Sequence, residues 1–262
     1  MRLEDVRDYF KLRRMVDNPR EICCFRKGQK PGQSLVVQFR DEPPLYLRGG
    51  RSDFHMFHRI FLRDEYRLSA IAPQSLECVI DLGANVGIFS SRAAVLARAV
   101  FSYEAFPGNA EQLEKNLGAR KNVAVEIKAV AGSPGKLSLF MPRNRGSSGA
   151  FSTFPDLQVD AESSVEVPSV TLNQIFEEHS IDRCDLLKLD IEGMEYEVLH
   201  AVDEDVMSRI RRIHGEYHNV EPDNAITRID HYASFLESKG FVVDVVPHKR
   251  KANHGMFYAG RK

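Results

Sequence analysis

At 262 residues, with 43% hydrophobic and 28% charged side chains, the chain has ordinary globular usage, which excludes a disordered, fibrous or disulfide-scaffold protein. Its 36 Lys plus Arg nearly cancel its 37 Asp plus Glu, so no chain-wide field attracts a polyanion, and nucleic acid is not an expected partner. No apolar run approaches the roughly 20 residues of a membrane span, and the opening MRLEDVRDYFKLRR is too charged for a signal peptide, so a cytoplasmic protein is expected.

The four cysteines, Cys23, Cys24, Cys78 and Cys184, show neither zinc spacing nor a disulfide ladder and read as reduced, mostly buried thiols. The short basic clusters at 11–14 and 249–251 read as solvated surface.

In chain order, residues 1–75 form an accessory N-terminal segment. It carries a polar stretch at 27–34 and then the alternating LVVQF and LYLR, which predict a hairpin. Ser52 and Asp53 stand as an N-cap before FHMFHRIFLRDEYRL, where apolar residues recur at helical spacing; that helix packs on the domain that follows.

From residue 76 to 262 short apolar strands alternate with amphipathic helices, the rhythm of a parallel sheet with crossover helices. The strand candidates are CVIDLG, AVFSYEA, VAVEIKAV, CDLLKLDIE, RIHGEYH, FVVDVV and GMFYAG. Between them lie the helices IFSSRAAVLA, NAEQLEKNLGA, LNQIFEEHS, MEYEVLHAV and ITRIDHYASFLESKG. The last two strands have no helix between them, so a C-terminal antiparallel pair completes a seven-strand, mostly parallel, doubly wound α/β sheet. The Gly/Ser/Arg stretch at 142–154 interrupts the rhythm as a loop or lid, or as a plain surface insertion.

In VIDLGANVGIFSS a strand runs into Gly83, Ala84, Asn85, Val86 and Gly87 and then a helix, at the carboxyl end where open α/β sheets bind ligands. Gly83 and Gly87 let the backbone approach a ligand, and Asp81 can accept hydrogen bonds from an ammonium group. The dinucleotide fingerprint needs glycine where Asn85 and Ile88 stand, which disfavours NAD or FAD, and no P-loop follows any strand. Glu104 closes the next strand, 21 positions after Gly83, where a carboxylate meets ribose hydroxyls.

Three segments, DLGANVGIF at 81–89, EAFPGN at 104–109 with Leu113 and Asn116, and LKLDIEGME at 187–195, resemble the FkbM-type S-adenosylmethionine (SAM)-dependent methyltransferases. The resemblance covers roughly residues 52–260. It implies a Rossmann-like class I methyltransferase sheet. It also implies SAM bound by the first two motifs, through Asp81, Gly83, Ala84, Asn85, Gly87, Phe89, Glu104 and Ala105, together with Asp190 of the third, and methyl transfer to an oxygen, often a sugar hydroxyl. Ala105 departs from the family, which usually has proline after the acid.

For the reacting centre, strand alternation sets Lys188, Asp190 and Glu192 on one face and Leu187, Leu189 and Ile191 on the other; Glu216 and His218 share a face one strand later, with His214 beside them. Asp190, Glu192, His218 and Lys188 are the catalytic candidates, with His218 preferred as general base. Asp190, Glu216 and His218 as ligands of a divalent metal such as magnesium are the alternative, and a Lys188–carboxylate pair could be purely structural. The acceptor is expected to be a small molecule or glycan. N-methylation, protein side-chain methylation and a non-catalytic nucleoside-binding module remain open, as does the oligomeric state.

Overall fold

The computed structural model describes residues 3–142, 159–218, 228–248 and 254–261. Two helices that the sequence pattern did not announce, α1 (Leu3–Met15) and α2 (Pro19–Gly28), open the chain and bury Leu12 and Ile22. The expected hairpin follows as β1 (Ser34–Val37) and β2 (Leu45–Arg48), paired antiparallel, with Leu35, Val37, Leu45 and Leu47 turned inward by the period-two rule.

The helix expected over 54–68 is shorter. It comprises α3 (Asp53–Phe57), which runs into a π-helical turn at His58–Leu62 and ends there. Asp64 and Arg67 then adopt left-handed φ of 54° and 53°, which a helix cannot continue through. Ser52 makes no capping hydrogen bond, and Asp53 instead accepts from the Arg48 backbone N–H and guanidinium at 2.9–3.0 Å.

The main sheet begins with β3 (Leu76–Leu82), α4 (Ile88–Leu96), β4 (Ala97–Tyr103), α5 (Ala110–Leu117) and β5 (Val123–Glu126). A second sheet follows, built from β6 (Ala129–Val130), β7 (Gly135–Pro142) and β8 (Val159–Val170). The chain then returns through α6 (Leu172–Glu178), β9 (Leu186–Leu189), α7 (Glu195–His200), α8 (Glu204–Arg209), β10 (Arg212–His218), α9 (Ile229–Ser238), β11 (Phe241–Pro247) and β12 (His254–Arg261). The seven strands lie in the order β11-β12-β10-β9-β3-β4-β5, with β12 antiparallel to both its neighbours and the other described pairings parallel. This is the expected mostly parallel, doubly wound sheet with its antiparallel C-terminal pair.

Its central strands are buried on both faces. All four residues of β9 and six of the seven in β3 are buried, so both read as apolar runs rather than alternations. On one face α6, α7 and α9 bring Phe176, Leu199, Tyr232 and Leu236 against Ile80, Leu187 and Leu189. On the other face the N-terminal segment supplies the cover: Leu12, Ile22, Leu47, Phe57 and Tyr66 share one core with Val79, Ile88, Phe89 and Leu186. Each such side chain is worth about 1.5–3 kcal/mol relative to exposure. Residues 1–75 are therefore a layer of the same core.

The run at 123–130, expected as one strand, splits: β5 stays in the main sheet while β6 pairs with β8 in the second. Neither β7 nor β8 was expected; they pair antiparallel with each other, and Val165 and Val167 pack against Leu137 and Leu139. Of the loop expected at 142–154, Pro142 ends β7 and the rest lies outside the described residues, as does the basic cluster at 249–251. The Thr171 hydroxyl and the Gln174 side chain form a capping box that starts α6, satisfying two N-terminal donors.

None of the four cysteines forms a disulfide; Cys78 and Cys184 are buried, Cys23 is half-buried and Cys24 is exposed. Among the described residues no helix is long and apolar enough to cross a membrane.

Candidate functional site

Strand order reverses at β3, whose neighbours β4 and β9 lead the chain in opposite directions, so the crevice beyond its carboxyl end is the topological switch point. The turn from 83 to 87 fills that place. Gly83 has φ +79° and Gly87 φ +82°, and Asn85 between them takes φ +53°. A Cβ on Gly83 would lie 1.8 Å from the Asp190 carbonyl oxygen, so this turn can press against the end of β9 only with glycine. The Gly83 and Ala84 N–H groups donate to the Tyr103 carbonyl at 2.9 Å, and Asn116 Nδ2 donates to the Val86 carbonyl at 2.6 Å. Asn116 Oδ1 also accepts the Tyr46 N–H at 2.7 Å, tying the hairpin to the turn.

Gly83 and Asn85 are half-buried at the rim of this turn, Glu104 is buried beside them, and Gly87, Ala84 and Phe89 pack beneath. Phe89 meets Tyr66 edge to face at 5.1 Å. Glu104 Oε2 accepts the Asn85 N–H at 2.7 Å, and Oε1 accepts from the Phe106 N–H at 3.0 Å and Asn109 Nδ2 at 3.2 Å. Burial raises its pKa above the ordinary carboxylate value, against the lowering effect of those three donors and of Lys188. Ala105, where the family pattern departs, is half-buried against Ala129, Leu139 and Val167.

Asp81 and Lys188 meet beneath the turn. Asp81 is 0% exposed, accepts the Ser90 hydroxyl at 2.5 Å and lies 3.0 Å from Lys188 Nζ. Lys188, 2% exposed, also donates to the carbonyls of Gly83 at 2.6 Å and Leu82 at 3.1 Å. Burial would lower the Lys188 pKa, but Asp81 and Asp190 hold it above its ordinary value. A buried charge is tolerated only when paired, so this couple fastens β3 to β9 and supports the turn from below. Asp81 was expected to face a ligand and Lys188 either the substrate or a carboxylate; the structure pairs the two with each other.

The remaining charges gather where β9 ends. The strand stops at Leu189, so the expected alternation does not extend to Glu192, which sits in a turn at φ +54°. Asp190 Oδ2 accepts the Tyr66 hydroxyl at 3.1 Å. Glu195 accepts the N–H groups of Ile191 at 3.1 Å and Gly193 at 3.0 Å, and its Oε1 lies 3.0 Å from His218 Nδ1. That contact leaves His218 Nε2 directed at Glu192, 3.6 Å from its Oε2. One ligand atom each from Asp190, Glu192 and His218 lie within 4.8 Å of one another.

Glu216 does not join them. Arg59, carried on the π-helical turn, donates to Glu216 at 2.7 Å and also pairs with Glu65, and His254 stands 3.7 Å from Glu216. Of the alternative set Asp190, Glu216 and His218, Glu216 is therefore held apart, and among the described residues Asp190 and His218 are grouped with Glu192 instead. His214, on the same strand, is occupied by the Tyr66 carbonyl at 2.8 Å, and burial lowers its pKa.

Electrostatics separates these groups. Burial would raise the Asp190 carboxyl, but Lys188, His218, Arg59 and the Tyr66 hydroxyl together hold it below the ordinary range. The part-exposed Glu192 carboxyl is held above its ordinary value, by its packed surroundings first and then by Asp190, Glu195 and Glu216, with His218 opposing. Burial would lower His218, yet Glu195, Glu192 and Asp190 keep it well above its ordinary value. The carboxylates around it therefore favour the protonated imidazole.

Tyr66, Arg59 and the orienting role of Glu195 were not foreseen. Tyr66 and Arg59 reach partners 124 and 157 positions away, and no local pattern announces such contacts. Glu195 lay inside the third motif, where its carboxylate three residues after Glu192 was the available signal.

Residues 81–243 match the profile of the methyltransferase FkbM domain. The methyltransferase sdnD of Sordaria araneosa is 28% identical over 200 residues, covering 62% of this chain and 73% of that protein. The AMB antimetabolite synthetase AmbE of Pseudomonas aeruginosa is 25% identical over 231 residues, covering 73% of this chain; the chain spans 11% of that much longer protein. Among solved structures, the methyltransferase FkbM of Methylobacillus flagellatus matches with a TM-score of 0.48 at 10% identity, over 97% of this chain and 58% of its own.

Proposed function

The chain belongs to the FkbM family of methyltransferases, and from that premise we propose that it transfers the methyl group of SAM to a hydroxyl oxygen of a sugar or other small natural product. The observation that carries this reading is two neighbouring groups of residues at the carboxyl ends of the central strands. The glycine turn and Glu104 form the first, and Asp190, Glu192 and His218 the second, joined through the Gly83–Asp190 contact and the buried Lys188–Asp81 pair.

The donor set fits a nucleoside with a cationic tail. Glu104 Oε2 keeps one lone pair for a ribose hydroxyl after accepting the Asn85 N–H. The left-handed turn brings backbone within reach of the ligand with no side chain at Gly83. Beyond it the Asp190 carboxylate, held ionised below its ordinary range, offers negative charge near where a sulfonium would lie. SAM supplies the methyl as an electrophile on that sulfonium. What the chain contributes is orientation, with the acceptor oxygen held about 3–3.5 Å from the methyl carbon, in line with the breaking bond.

Asp190, Glu192 and Glu195 outnumber the one basic side chain among them, His218, which disfavours a carboxylate acceptor and favours a neutral hydroxyl whose proton leaves as the carbon–oxygen bond forms. The same surplus would attract a protonated amine, which makes N-methylation the second reading. Incubation with methyl-labelled SAM and matched sugar, aliphatic-alcohol and amine acceptors separates the two. Label in an O-methyl group supports the proposal, and label confined to amines or to protein replaces it.

A further inference from the structure

We propose that Asp190, Glu192 and His218 form a divalent-cation site that seats the acceptor oxygen; this rests on the methyltransferase reading above. Ligands about 2.0–2.2 Å from one ion stand about 3–4 Å from each other when adjacent. Glu192 Oε2 and His218 Nε2 are 3.6 Å apart, and the Asp190 atom falls within the same 4.8 Å circle, so small side-chain adjustments complete the sphere. Two carboxylates and one imidazole suit a borderline first-row ion such as Mn2+ or Co2+.

The outer contacts match a metal site as well. The coordinating nitrogen of a metal-bound histidine is usually fixed by a carboxylate on the other ring nitrogen. Here Glu195 holds His218 Nδ1 at 3.0 Å and is itself fixed by the N–H groups of Ile191 and Gly193, outside the ligand set. Tyr66 holds one oxygen of Asp190.

The nearby permanent cations are committed elsewhere. Arg59 serves Glu65 and Glu216, and Lys188 serves Asp81 and two backbone carbonyls. Among the described residues no hydrogen-bond donor reaches the Glu192 carboxylate, whose one ion-pair contact is His218 Nε2. Its side chain is 36% exposed, which leaves an ion a way in.

Three protein ligands leave coordination positions open. An ion held there would acidify an acceptor hydroxyl, whose proton would pass to solvent water. The acceptor oxygen's lone pair then forms the bond to the methyl carbon as the carbon–sulfur pair returns to sulfur, releasing neutral S-adenosylhomocysteine. His218 is a ligand in this arrangement and the deprotonation is the ion's work.

The test titrates Mn2+ into the full chain, following loss of the free-ion spin-resonance signal, with SAM binding measured by calorimetry on the same chelator-treated preparations. The expected result is one Mn2+ per chain, weakened at least about tenfold by Glu192→Gln and by His218→Ala, and about 10–100-fold by Glu195→Gln, which removes only the orienting carboxylate. Melting curves identify the variants that fold, and any one of the three suffices. Folded wild-type protein that binds SAM but no Mn2+ overturns the cation site and leaves the methyltransferase reading standing. Variants that bind Mn2+ as tightly as wild type overturn it too. Mn2+ binding without SAM binding supports the site and counts against the methyltransferase reading itself.

Discussion

Replacing Glu104 with glutamine keeps the side chain's volume and removes one charge from the group of residues about the glycine turn. A carboxylate has about four lone-pair sites. The Phe106 N–H and Asn109 Nδ2 take both on Oε1, and the Asn85 N–H takes one on Oε2. One site remains, so Glu104 can accept one ribose hydroxyl directly rather than clasp both. The loss is therefore that of a single charge-assisted hydrogen bond, about 1.5–3 kcal/mol, or roughly 10–150-fold in Kd. Calorimetric titration of wild type and Glu104→Gln with SAM at neutral pH measures it directly. A variant that melts like wild type yet loses less than about threefold in affinity, under ~0.7 kcal/mol, would refute the ribose contact.

Acidification gives the same residue a second signature. Burial raises the Glu104 pKa above 4.5, and the ribose bond needs the ionised form, so SAM affinity should fall as pH drops through that raised value and stay flat in Glu104→Gln. Stability moves the other way: a raised folded pKa contributes fully below 4.5 and is lost as pH rises through the folded value, so wild type should gain on the variant in acid melting curves. Gly83→Ala combines a left-handed φ with a Cβ placed 1.8 Å from a backbone oxygen; a loss of about 3 kcal/mol or more is expected in denaturant unfolding, and an unchanged midpoint would contradict it. Lys188→Met strands the buried Asp81 carboxylate and should cost about 3–5 kcal/mol by the same assay, whereas a neutral or stabilising result would mean the pair does not fasten β3 to β9.

The elements that could be read from sequence are those whose cause is local. β3 and β9 stand out as apolar runs because central parallel strands are buried on both faces. The glycine turn stands out because left-handed φ at 83 and 87 and the close approach to Asp190 leave little else that fits. Misreadings arose where a non-local partner decided. Residues 123–130 look continuous, yet β5 follows β4 while β6 follows β8 into another sheet. Glu192 took the place that the alternative metal set gave to Glu216 because the strand ended at Leu189 and a left-handed residue broke the alternation, while Arg59 claimed Glu216 from a segment 157 positions away. The role of residues 1–75 was equally hidden, since Tyr66 and Arg59 contact the site only once that layer covers the sheet.

The most direct measurement is calorimetric titration of the folded, ligand-free chain with SAM, S-adenosylhomocysteine and NAD in parallel. Saturable micromolar binding of the two sulfur nucleosides, with NAD silent because Asn85 and Ile88 stand where its fingerprint needs glycine, is the expected result. Silence from both sulfur nucleosides, or binding of NAD alone, would contradict a methyl-donor site at the Gly83–Glu104 crevice.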